Sequence, residues 1–293
     1  MSSGRKIGMV GIGLMGHGIA TNLQKHGHEL ALFEHPGNQP LDGLKAGGAV
    51  GLATVRELAA RSDIVITVLT GSPQVEAVIT GEGGVLAGLR PGTIVIDCST
   101  AIPSSTVRVA QAVAAAGGRF LDAPMTRTPK EAAEGRLNLL VGGDASLLEE
   151  VRPVLSCFAE NITHMGPVSA GHSAKLLHNY VSLGMVTLLA EAAACAQRNG
   201  VEPGAFVEVL AKGGGGGIAL ERIKPYLLSQ DPSGLKFTVS NARKDLDYYN
   251  TMAADAGVAR DIAAAVLATL EKAVAGGAEQ SYVPELAGIL GRR

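Results

Sequence analysis

Residues 6–20 read KIGMVGIGLMGHGIA, and the reading of the fold starts from them. Lys6 to Val10 is a short apolar strand that runs straight into Gly11, Gly13 and Gly16, a G-x-G-x-x-G pattern. Ile19, Ala20 and Leu23 follow at helical spacing. Each glycine in such a strand–turn–helix unit has a physical task. The first permits a tight turn, the second lets a pyrophosphate approach the backbone, and the third lets helix and strand pack closely. With Leu14 and Met15 between them, they set phosphates on the exposed amides of the helix N-terminus.

Outward from that unit, Glu29 to Phe33 (ELALF) reads as a second strand ended by Glu34. Glu34 lies about 21 residues beyond Gly13, where a carboxylate accepts hydrogen bonds from the adenosine ribose of a dinucleotide. A 2′-phosphate there would suffer roughly 4 kcal/mol of repulsion per pair of unit charges about 4 Å apart, before screening. No arginine follows among His35, Pro36 and Gly37, so NAD is expected, with NADP second. Ile64–Leu69 and Thr93–Ile96 are continuous apolar strands, as in a sheet covered on both faces. Helical stretches at Val55–Ala60, Gln74–Ile79 and Ser104–Ala116 alternate with them, which gives a doubly wound α/β domain of the Rossmann type. Loops after strands face the ligand in such sheets, which nominates Leu69, Thr70, Ser99 and Thr100.

A second decisive stretch runs from Gly166 to Gly200, GPVSAGHSAKLLHNYVSL followed by an alanine-rich, Pro-free run. Ser169 suits a helix cap and Gly200 the residue past a helix end. A helix filling that interval has about 30 residues and spans about 45 Å, long enough to connect two domains. Lys175, His178, Asn179 and Ser182 stand at i, i+3, i+4 and i+7, so they share one face near its beginning. Beyond Gly200, Val201–Lys212, Ile218–Leu228, Ala242–Ala254 and Asp261–Ala273 are helical by pattern, without convincing strands. The expected organisation is a dinucleotide-binding domain over 1–166, an interdomain helix over 167–200 and an all-α C-terminal domain over 201–293. The run Gly213–Gly217 is too flexible for a helix interior and reads as a loop able to approach a ligand.

Composition narrows the function further. A net charge of −2 gives no general attraction to nucleic acid or anionic membrane, and 3% aromatics without Trp offers little base-stacking surface. Cys98, Cys157 and Cys195 are scattered, without metal-ligand spacing, so reduced thiols in a cytoplasmic protein and no metal are expected. The start MSSGRKIGMVGIG lacks a signal-peptide pattern, and no apolar run of about 20 residues suggests a membrane span.

With these residues in view the chain resembles the β-hydroxyacid dehydrogenase family over essentially its whole length. The carriers are GIGLMGHGIATNL (11–23), DAPMTRTPKEAAEGRLNLLVGGD (122–144), GPVSAGHSAKLLHNY (166–180) and KDLDYY (244–249), in family order. The resemblance implies Lys175 as the catalytic lysine and Asn179 as its partner on the helix. It places Thr126 at substrate, Thr100 beside the nicotinamide and Lys244 near cofactor and substrate, with Asp245 helping to hold the domains together. It also implies a homodimer or homotetramer. Members often carry Ser-Gly-Gly where this chain has Thr126, Arg127 and Thr128. Arg-Thr there is similar to sulfolactaldehyde reductases, in which the arginine binds the sulfonate and a serine matching Ser182 touches substrate. His178 stands where those enzymes have Asn, and the proline usual after Leu69 is absent.

The physics of Arg127 agrees, since a planar guanidinium grips a carboxylate or sulfonate by two bonds. His178 reads as a further donor to that anion or as a helix polar group. The expected activity is NAD(H)-dependent interconversion of a short anionic β-hydroxyacid and its semialdehyde, of sulfolactaldehyde or 3-hydroxyisobutyrate type. Lys175 handles the proton; an ordinary lysine near about 10.4 is a poor base at neutral pH, so burial and the helix N-terminal field are expected to assist it. Imine reductases of the same fold generally replace that lysine. The alternative from another class is a nucleotide-bound regulatory protein without turnover.

Overall fold

A computed structural model describes residues 4–292, and the chain divides into two compact units, Met1–Lys175 and Leu176–Arg293. The first unit opens with β1 (Lys6–Val10), α1 (Leu14–Lys25), β2 (Glu29–Phe33), α2 (Asp42–Ala46), β3 (Val50–Leu52), α3 (Val55–Arg61) and β4 (Ile64–Thr67). It continues through α4 (Ser72–Thr80), α5 (Val85–Gly88), β5 (Ile94–Asp97), α6 (Pro103–Ala115) and β6 (Arg119–Asp122). It closes with β7 (Met125–Thr126), α7 (Pro129–Ala133), β8 (Leu137–Gly142), α8 (Ala145–Leu155) and β9 (Ala159–Gly166), before α9 (Ala170–Arg198) begins.

The strands form one sheet in the order β3-β2-β1-β4-β5-β6-β8-β7, with β9 paired to β8. Pairing is parallel from β3 to β6, antiparallel at β6–β8 and β7–β8, and parallel again at β8–β9. Strand order reverses at β1, between β2 and β4, and the carboxyl edge at such a switch is where doubly wound sheets take ligands. Alternation within the strands explains the two covered faces. Ile64, Ile66, Ile94 and Ile96 bury into one core with Ile7 and Met9, whereas Val65 and Val95 bury into the opposite core with Val10. The strand expected over Ile64–Leu69 ends at Thr67, two residues earlier, where the backbone turns into the loop.

The helix expected across 167–200 is α9, 29 residues long. It is not a segment apart: the division between the units falls inside it, between Lys175 and Leu176. Gly200 ends it as expected, with φ +72° and with the Val201 amide returning 3.0 Å to the Ala196 carbonyl. Its start differs from expectation. Ser169 has φ +77°, and the carboxylate of Asp122 takes the capping task, accepting the Ser169 amide at 2.7 Å and the His172 amide at 2.8 Å. By length and composition alone α9 would also suffice to cross a membrane. Its residues Leu183, Val186, Leu189 and Ala190, however, bury in the core of the second unit, the disposition of a core helix in a globular domain.

The second unit adds α10 (Pro203–Lys212), α11 (Ile218–Ser229), α12 (Val239–Asp255), α13 (Asp261–Ala275) and α14 (Leu286–Gly291) to the rest of α9. Its core gathers Ile223, Val239, Leu246, Leu270 and Val283 around the α9 residues just named. Gly213–Gly217 is a loop, and Gly217 sits at φ +122°.

Candidate active site

At the end of β1 the glycine loop is fixed by contact. A Cβ on Gly11, at φ +95°, would lie 2.2 Å from the Val68 carbonyl oxygen, and one on Gly16 would lie 2.0 Å from the Gly11 carbonyl oxygen. A Cβ on Gly13 would meet nothing within 4 Å. Two glycines therefore close the turn, and the third leaves open space in front of the first amides of α1. Leu14 and Met15 open that helix, whose first turn carries no acidic residue and no side-chain cap. Such a cradle fits a pyrophosphate.

The sequence reading missed Asn38. Its side-chain carbonyl accepts the Ile12 amide at 3.2 Å and its amide donates to the Phe33 carbonyl at 2.8 Å, which ties the glycine loop to the end of β2. Glu34 is ion-paired with Lys45 of α2, beside a depression of about 370 Å³ that His35, Asn38 and Gln39 also line. Lys45 is a cation that the local reading around Glu34 did not include, and it lessens the repulsion a 2′-phosphate would meet.

The loops after β4 and β5 are tied together. The Leu69 amide donates to Ser99 Oγ at 2.9 Å, and the Ser99 amide donates to Asp97 Oδ1 at 3.0 Å. Thr70 is exposed and Thr100 half-buried beside them. Burial, and secondarily Asp97, pushes the neighbouring Cys98 thiol up, so it stays protonated and supplies no nucleophile.

After β6, Thr126 pairs in register with Asn138, whose amide donates to Thr126 Oγ1 at 3.0 Å. Arg127 has φ +80°, a left-handed backbone that glycine adopts freely and other residues adopt at about 1 kcal/mol or more. That conformation accounts physically for the glycine many members carry at this position. The Arg127 guanidinium is bound to Glu160 of β9 and to the Arg136 carbonyl. Thr128 starts α7: its hydroxyl and amide both donate to Glu131, whose carboxyl is held low chiefly by that hydroxyl. Thr128 is thus the cap of α7.

Lys175 is half-buried in the second turn of α9. Further along the same face, His178 Nδ1 lies 3.0 Å from the Asn179 side-chain oxygen. The buried Asn179 amide donates to Asp245 Oδ2 at 2.6 Å, and Lys244 Nζ lies 3.0 Å from Asp245 Oδ1. Asp245 thus binds directly to the helix row. Ser182 accepts a hydrogen bond from Arg222 of α11 at 3.1 Å. Arg222 was not foreseen, because 40 residues separate it from Ser182.

Comparison with known proteins identifies the family. Residues 6–166 match the family described as the NAD binding domain of 6-phosphogluconate dehydrogenase, and residues 169–287 the family described as NAD-binding of NADP-dependent 3-hydroxyisobutyrate dehydrogenase. The chain is 35% identical over 266 residues to an NAD-dependent L-serine dehydrogenase of Pseudomonas aeruginosa, covering 89% of this chain and 86% of that one. It is 35% identical over 220 residues to a 3-hydroxyisobutyrate dehydrogenase of the same organism, covering 75% and 74%. A solved Mycobacterium tuberculosis 3-hydroxyisobutyrate dehydrogenase with L-serine superposes with a TM-score of 0.87 at 28% identity, covering 98% of this chain and 99% of that one. The glycine cradle, the lysine row of α9 and these likenesses together establish that the chain belongs to the β-hydroxyacid dehydrogenase family of NAD(P)-dependent oxidoreductases.

Proposed function

We propose that the chain interconverts a short anionic β-hydroxyacid and its semialdehyde, with NAD(H) preferred and Lys175 as the proton-transferring group. The bound nicotinamide supplies the hydride chemistry, and the protein's own task is to place a carbonyl carbon and move one proton. Lys175 protonates the nascent alkoxide in reduction and takes the alcohol proton in oxidation. Asn179, one turn on, steadies that exchange, because Asp245 at 2.6 Å fixes its amide. This anchored row is the observation that carries the reading.

The family resemblance supports Thr126 and Ser182 as the groups that take the acid end of the substrate, with His178 as a further donor. Arg127 enters only by leaving Glu160, which favours a 3-hydroxyisobutyrate-type or serine-type substrate over a sulfonate. The names of the two Pseudomonas aeruginosa relatives support the same order. A cytoplasmic homodimer or homotetramer is proposed on family grounds. The test is a panel followed by nicotinamide absorbance. L-serine and 3-hydroxyisobutyrate are run with NAD and NADP, and tartronic semialdehyde and sulfolactaldehyde with NADH and NADPH. A hydroxymethyl acid turning over with NAD is the expected result. Sulfolactaldehyde turning over far better than the carboxylates overturns the substrate order, and stoichiometric NADH binding without turnover on any member favours the regulatory alternative.

A further inference from the structure

Buried polar side chains cross the sheet in one row beneath the candidate cofactor loops. Thr67, Asp97 and Asp122 end the adjacent strands β4, β5 and β6 as register partners. His172, from the first turn of α9, joins them, and all four are at most 1% exposed. A buried carboxylate is strongly unfavourable unless hydrogen-bonded or paired, so two in one row call for a reason. Asp122 is spent on the two amides of the α9 start. Asp97 Oδ1 accepts Thr67 Oγ1 at 2.8 Å and the Ser99 amide at 3.0 Å. His172 Nδ1 lies 2.7 Å from Thr106 Oγ1 of α6. Among the described residues its Nε2 and Asp97 Oδ2 have no hydrogen-bond partner and lie 3.7 Å apart, while Nδ1 also lies 3.8 Å from Asp122 Oδ2.

Other features hold the same turn. Ser169 has the strained φ of +77°. Gly171 approaches so closely that a Cβ would lie 2.3 Å from the Leu140 carbonyl oxygen and 2.8 Å from Asp122 Oδ2. Capping alone needs none of this, since an ordinary Ser or Asp before a helix suffices. The turn is over-determined, and Lys175 follows His172 by three residues. Asp97 also holds Ser99, which in turn holds Leu69, so one carboxylate faces both the cofactor loops and the helix that carries the lysine.

We infer that His172, set between Asp97 and Thr106, is a positioning residue that fixes the height of Lys175 over the carboxyl edge of the sheet. The inference rests on the proposed role of Lys175, and the experiment separates the two. His172→Phe keeps a ring and removes both nitrogens, while His172→Gln keeps donor and acceptor. On the best substrate of the panel, His172→Phe lowers kcat about tenfold to a hundredfold, as a misplacement near 1 Å does, leaving KM and NADH affinity little changed. The primary deuterium isotope effect on hydride transfer rises, and His172→Gln recovers most of the loss. A purely structural role lowers the folded fraction instead, with kcat per active site and isotope effect unmoved, and that result overturns the inference. Hydrogen exchange needs no substrate: amides of residues 172–178 exchange faster in His172→Phe while those of α1 do not, and equal exchange also refutes it. Should His172→Phe fail to fold, Asp97→Asn decides by the same readouts. Failure of the Lys175 reading appears elsewhere, as wild-type turnover in Lys175→Ala.

Discussion

The helices that begin at Leu14 and at Ala170 both start at the carboxyl edge of one sheet, yet their first turns are finished differently. At α1, glycines do the work, no side chain caps the amides, and a Cβ on Gly13 would point into open space. At α9, the buried Asp122 binds the amides of Ser169 and His172, and Gly171 lies against β8 with no room for a side chain. An uncapped helix start is a site that receives an anion from outside. A helix start satisfied from within offers nothing to a ligand and serves to hold the next turn in place, here the turn that carries Lys175. On the function proposed above, two starts in one domain divide the labour of cofactor binding and proton transfer.

That division sets the expected outcomes. Lys175→Ala should lower turnover by about 10²–10⁴, the usual weight of a general acid–base group, while leaving NADH binding intact by fluorescence titration. Asp122→Ala removes two charge-assisted bonds at the closed start and should destabilise the fold by about 2 kcal/mol or more, read by calorimetry. Gly13→Ala should leave the melting temperature nearly unmoved and weaken NADH about tenfold, near 1.4 kcal/mol. A large melting shift without loss of NADH affinity would instead make Gly13 a folding glycine and erase the contrast. Glu34→Ala, which leaves Lys45 to meet a 2′-phosphate, should raise the NADPH-to-NADH preference by up to about tenfold at low salt and less at high salt.

The open start was readable in the sequence because its parts are contiguous: strand, glycines and helix fall within about 20 residues, and Glu34 follows at a characteristic distance. The long helix was readable too, since no proline interrupts it and its polar row has helical spacing. The closed start was not readable as such. Asp97, Asp122 and His172 meet through strand register and a helix docked across 50 residues of intervening chain. Ser169, the local candidate for the cap, was the natural expectation from sequence alone. Short strands were equally hidden: β7 has two residues, and β9, AENITHMG, is largely exposed and lacks an apolar alternation. The partners of Arg127 and Ser182, Glu160 and Arg222, lie 33 and 40 residues away and leave no local signal.

The central claim is that one amine, that of Lys175, carries the proton of the reaction. Chemical rescue of Lys175→Ala by small primary amines tests it most directly, with NADH oxidation followed in a single turnover on the best semialdehyde of the panel. The account predicts a slow rate that rises with amine concentration and follows amine basicity, with NADH affinity constant throughout. A Lys175→Ala enzyme that turns over at the wild-type rate without added amine would contradict it.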